Sequence, residues 1–170
     1  MKKIFTYLTV CAAVMMVFTG CKKEEEFEPA EVATNLVGDW QGHIQEFKRY
    51  GDTGNTYNPN RGRKWVVMRF NKTTDTEGTG YQLEFNNEFM NNTPGADDMS
   101  KFNWKVREGR IEITYLTSGW DEVYMTFDKK SRDNINGSVF KGEFMTYSGQ
   151  YKFVFDYSKK TFTGWDTYFK

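Results

Sequence analysis

The sequence predicts an all-β fold, an antiparallel meander of eight or nine strands closed into a β-barrel, with a β-sandwich as the alternative. Three observations carry this. From Leu36 onward, apolar and polar residues alternate with a period of two, as in strands that bury one face. Glycines fall mostly between these runs, where turns need them. Phenylalanine, tyrosine and tryptophan make up 18% of the chain, and aromatic side chains favour strands while burying large areas.

The first strand places Trp40, Gly42 and Ile44 on one face and Gln41, His43 and Gln45 on the other. A polar loop, residues 51–63, precedes "KWVVMRF". In that run Val66, Met68 and Phe70 are expected inward, which leaves Arg69 as an outward charge beside Trp65; the opposite register would bury the charge and demand a partner. "GYQLEF" alternates Tyr81, Leu83 and Phe85 with Gln82 and Glu84, the latter pair expected outside. After a second long loop, residues 86–100, "KFNWKV" sends Phe102, Trp104 and Val106 one way and Lys101, Asn103 and Lys105 the other. Gly109 turns the chain into "IEITYL", and Gly119 precedes "EVYMTF". Asn136-Gly137 leads to "SVFKGEF", Ser148-Gly149 to "YKFVFDY", and a last segment, "TFTGWDTYF", is expected to be extended.

Consecutive hairpins with one apolar face each close most economically as a barrel, which also removes edge strands. Eight strands enclose a space that side chains fill or that holds one small ligand. A transmembrane barrel does not fit, because the outward positions are Lys, Glu, Asn and Gln where lipid requires apolar residues.

The N-terminus has a different composition. Lys2 and Lys3 precede an apolar run, Ile4 to Phe18, of signal-peptide length and too short to span a membrane. It ends on Phe18-Thr19-Gly20-Cys21, which resembles the lipobox of bacterial lipoproteins. The resemblance implies removal of residues 1–20 and attachment of acyl chains to Cys21; an ordinary cleaved signal is the alternative. Lys22, Lys23, Glu24, Glu25 and Glu26 are similar to the export signal of surface lipoproteins of Gram-negative gut anaerobes. That implies a lipid-anchored protein at the cell surface on the outer membrane, the alternative being its periplasmic face. Two or more acyl chains give stable attachment. Residues 21–35 are expected to be a flexible charged tether carrying Pro29, and residues 36–170 the barrel domain.

The cleaved chain would carry 21 basic and 23 acidic residues and no free thiol, since Cys11 leaves with the signal and Cys21 is acylated. Near-neutral charge without a basic block argues against nucleic acid as a partner. His43 is the sole histidine, so Cys/His dyads and histidine-rich metal sites are excluded. No Gly-x-Ser-x-Gly elbow accompanies the serines, and Glu84, Glu112, Glu122 and Glu143 are expected on outer faces. The Asp133–Gly137 stretch would put Arg132 first in an EF-hand loop, which fails; Asp97 and Asp98 remain a loop pair. No catalytic role, cofactor or metal is assigned.

"NLVGDWQG", residues 35–42, resembles the Gly-x-Trp opening of lipocalin-like proteins, with Gly38 and Trp40 in the motif positions. Together with "FNWKV" and "GRIEITY", the pattern is similar to small lipocalin-like lipoproteins of gut anaerobes. The resemblance implies an eight-stranded barrel closed at one end by Trp40, and a C-terminal arginine packed on that ring. Past Arg132 the chain has no arginine, and its tail offers only Lys159, Lys160 and Lys170 as cations. Within such a barrel Phe102, Trp104, Ile113, Tyr115, Phe153 and Phe155 are the candidate lining for a small apolar ligand held in its mouth. The alternative is a glycan-binding or protein-interaction module acting through its loops, with Trp120 and Trp165 as the candidate platform.

Overall fold

The computed structural model describes residues 27–50, 56–86 and 95–169. Helix α1 (Pro29–Leu36) comes first, then β1 (Gly38–Arg49), β2 (Tyr57–Pro59), β3 (Lys64–Lys72), β4 (Glu77–Phe85), β5 (Asp98–Arg107), β6 (Arg110–Tyr115) and β7 (Val123–Thr126). A 3-10 turn (Lys129–Asp133) precedes β8 (Val139–Thr146), β9 (Tyr151–Lys159) and a one-turn helix α2 (Trp165–Tyr168). Strands β3 to β9 follow one another in antiparallel order, and β1 hydrogen-bonds to both β3 and β9. Eight strands therefore close on themselves as a barrel rather than a sandwich. The ninth, β2, lies in the stretch expected to be loop and pairs only with the end of β1, from Phe47 to Arg49.

Register fixes which side chains point inward. Val66 lies opposite Gly42 and Glu84, Met68 opposite Trp40 and Gln82, and Phe70 opposite Gly38 and Gly80. Residues directly opposite share a face, so Gln82 and Glu84 point into the barrel, contrary to the outward placement expected of them. The apolar residues of β4, Leu83 and Phe85, face outward with Val67 and are nonetheless buried. They are covered by residues 161–169, which do not extend as a strand but fold back across the barrel wall and form α2.

That outer cover is held at one point by charge. Arg69 points outward as expected, yet it is not an ordinary solvated side chain. Its Nε and Nη2 donate to the two carboxylate oxygens of Asp39 at 2.6 and 2.8 Å, a bidentate pair. The backbone N–H of Phe162 donates to the same carboxylate at 2.9 Å, and the Trp165 ring lies 5.0 Å from the guanidinium. Burial pushes the Asp39 carboxyl up, but the hydrogen bonds from Arg69 and Phe162 and the guanidinium charge outweigh it and hold the carboxyl below its usual range.

Helix α1 replaces the C-terminal part of the expected tether. Pro29 stands at its start, where a fixed φ favours the first turn. Val32, Ala33 and Leu36 are fully buried from one face of this eight-residue helix. With Phe27, which meets Phe127 edge to face at 5.6 Å, they join the barrel core at the end where β1 begins. Trp40 Nε1 donates to the Leu36 carbonyl at 2.6 Å, and Lys159 Nζ sits 5.3 Å from the Trp40 ring centre. A lysine thus stands over the tryptophan, where the resemblance would imply a C-terminal arginine that the sequence lacks.

Above this closed end the barrel is filled. Phe70 contacts Phe102, Trp104 and Phe140 at centroid distances of 5.2 to 5.9 Å, and Phe140 contacts Phe155 at 4.7 Å. Room for the rings of β5 comes from β4: a Cβ on Gly80 would lie 2.2 Å from the Phe102 ring, and one on Gly78 would lie 2.6 Å from Trp104 Nε1. That nitrogen donates to the carbonyls of Asn71 and Thr79, so the buried indole is satisfied.

Two stability measurements follow. Leu36→Ala should lose about 3 kcal/mol in urea unfolding, the cost of a cavity in a fully packed site; a loss below about 1 kcal/mol would mean that α1 is not integral to the core. Asp39→Asn, which strands the guanidinium, should lose about 2 kcal/mol near neutral pH. Because the Asp39 carboxyl is held down in the folded protein, its contribution is complete above the unfolded value near 4 and disappears as the pH falls through the folded one. The stability gap between wild type and Asp39→Asn should therefore narrow below about pH 4, and a gap that stays constant would exclude this role.

Candidate functional site

The end of the barrel opposite α1 is not filled. A cavity of about 230 Å³ opens there, among the upper ends of β1, β3, β4 and β9 and the loop between β6 and β7. Its walls are of two kinds. Phe144, Phe153, Tyr151 and Ile44 give an apolar side, and Trp120 stands in the β6–β7 loop with its ring centre 4.7 Å from that of Tyr115. The other side is charged. Lys64, Glu84, Glu46 and Asp98 all line the cavity.

These groups are there because of register. Lys64 is two residues before inward Val66, and Glu84 is opposite Val66, so both point into the mouth and form an ion pair. Their side chains are 17% and 14% exposed, which makes the pair a mostly buried one. Gln82 Nε2 donates to Glu84 Oε1 at 2.9 Å, and the Tyr115 hydroxyl donates to Gln82 Oε1 at 2.7 Å. A continuous chain thus runs from Lys64 through Glu84 and Gln82 to Tyr115. Burial, with the nearby Glu84 charge, pushes the Tyr115 phenol up, so it remains a neutral donor. Tyr157, lower on β9 and 1% exposed, has a hydroxyl with no hydrogen-bond partner; burial and the fields of Tyr115 and Glu84 push its phenol well up.

A second hollow, of about 420 Å³, lies between Val37, Asn71 and Thr161 near the closed end. It is more open; of the charged groups on its wall, Asp39 and Arg69 pair with each other, and Lys159 and Lys160 stand beside them.

Of the expected ligand-lining residues, Tyr115 and Phe153 line the cavity. Phe102, Trp104, Ile113 and Phe155 do not: they belong to the filled core beneath it. Trp120 is at the mouth, whereas Trp165 is 5% exposed on the outer wall against Arg69 and offers no platform. Gly38 and Trp40 sit at the far end from the cavity. Asp97 accepts the Asn86 amide, and Asp98 is opposite Glu84 on β5. Cys21 and Lys22 to Glu26 lie outside the described residues. Lys64, Gln82, Glu84, Glu46 and Asp98 were missed as site residues. The available signal was the run "WVVM", in which consecutive apolar residues imply a strand covered on both faces.

No family model matches the chain, and no curated protein matches it. Among solved structures, a redesigned β-barrel matches at 15% identity with a TM-score of 0.46, covering 76% of this chain and 95% of that one. Among the described residues no helix is long and apolar enough to cross a membrane.

An ion pair inside a barrel mouth is a costly filling, and its test is a double substitution. Glu84→Gln alone should lose about 2 kcal/mol by leaving Lys64 unpaired, while Lys64→Met with Glu84→Leu should be as stable as wild type or more so. A double variant that loses as much as the single one would make the pair a structural requirement instead of a functional one.

Proposed function

We propose that the chain is a small-molecule-binding protein whose barrel mouth takes a ring-sized ligand bearing a polar group, and that it works while held to a bacterial outer membrane by acyl chains on Cys21. The observation that supports the binding reading is the inward Lys64–Glu84–Gln82–Tyr115 chain beside an aromatic wall. A barrel whose other half is filled by apolar side chains has an apolar solution available for these positions, and clefts with a few convergent polar groups are typical ligand sites.

Size narrows the ligand. An apolar cavity of about 150 Å³ holds a benzene ring. The present 230 Å³ suits a ring with a short substituent. A long acyl chain would meet the Phe144–Phe155 stack, whose rings are 4.7 Å apart, and would have to leave through the mouth. The fold expectation of an apolar ligand is thereby refined to one with an apolar body and a polar group. The anchor reading draws on the Phe18-Thr19-Gly20-Cys21 stretch and the charged residues after it.

Two measurements test these readings. In a fragment screen by NMR on the full-length chain, ring-sized hits should shift the indole signal of Trp120 and leave those of Trp40 and Trp104 in place; hits that map only to the outer wall would sink the mouth as the site. For the anchor, Cys21→Ala should abolish both incorporation of a labelled fatty acid and sedimentation with membranes, and unchanged sedimentation would reject it.

A further inference from the structure

The charges around the mouth do not balance, and this selects among polar groups. Four carboxylates line the cavity: Glu46, Glu84, Asp98 and Asp121. Two cations face them, and both are engaged, Lys64 with Glu84 and Arg61 with Glu46 at 3.7 Å. Among the described residues Asp98 and Asp121 have no cationic partner. Asp121 stands at the exposed rim, where solvent screens it. Asp98 is half buried, and its register places it directly opposite Glu84, an arrangement of like charges that costs stability unless a cation serves both.

From this we infer that the ligand of the barrel mouth is an organic cation, a protonated amine on a ring-sized apolar body, with its ammonium group seated near Asp98 and Glu84 and its ring against Trp120. The inference rests on the mouth being the binding site, as proposed above. The aromatic faces agree with it, since Trp120, Tyr115 and Tyr151 present electron-rich rings that attract cations and have no such preference for anions. A carboxylate or phosphate ligand would instead have to detach Lys64 or Arg61 and leave Glu84 or Glu46 bare beside Asp98. A neutral ligand would leave the Asp98 charge unmatched.

Three probes of nearly one shape separate these cases: phenethylammonium, 2-phenylethanol and 3-phenylpropionate, titrated calorimetrically into the full-length chain. The amine should bind about tenfold or more tightly than the alcohol, with the propionate weakest. Asp98→Asn, which removes charge at constant shape and leaves no cation stranded, should cut that preference to about threefold or less while the alcohol binds as before. Equal affinities, or the propionate first, would overturn the cation assignment and leave the mouth as the binding site. Absence of binding by all three at millimolar concentration would overturn the assignment and the site together.

Discussion

β1 is hydrogen-bonded along both edges, Gly38–Ile44 to β3 and Trp40–Lys48 to β9, and this double pairing turns a meander into a tube. Once the first and last strands of an eight-stranded sheet are joined, the internal radius is set, and what remains is how to fill it. The sequence does so unevenly. Phenylalanines and two tryptophans occupy the half nearest α1, glycines on β4 make way for them, and the other half is left to charged and amide side chains around an opening. A densely packed base of this kind resists deformation, which suits a mouth whose groups must stay in register.

Closure also explains why part of the fold was readable and part was not. "KFNWKV" could be read correctly because one face is core and the other water, so alternation and burial coincide. "GYQLEF" could not. Its apolar residues lie under the C-terminal segment and its polar ones inside the barrel, and period-two alternation gives two faces without saying which is which. The choice depends on residues 161–169 lying over the wall, a contact between segments about eighty positions apart. The same long-range contact made a helix of a segment that reads as a strand. At the other terminus, α1 has eight residues and follows a charged stretch, too little for periodicity to declare itself; its stability comes from the core it plugs.

The candidate site inherited this ambiguity. Tyr115, Phe153 and Trp120 were visible as aromatics near strand ends or in a turn, because such residues are noteworthy wherever they point. Lys64, Gln82 and Glu84 are ordinary surface residue types and become informative only when register turns them inward. The inner ion pair and the outer Arg69–Asp39 pair are chemically alike yet differ in use. The outer one fastens a covering segment, with the Phe162 amide on its carboxylate and the Trp165 ring against its guanidinium. The inner one borders open space and an unmatched aspartate.

The position of α1 also has a geometric consequence. Because the helix plugs the barrel opposite its mouth, the chain ahead of Phe27 departs from the closed end. Between Cys21 and Phe27 there is room for a reach of about 20 Å at full extension, less than half of what a tether running to residue 35 would give. With acyl chains at Cys21, as proposed, the closed end would be confined near the bilayer while the opening is held on the distal side. On that proposal, the mouth would open toward the surrounding medium and not toward the lipid.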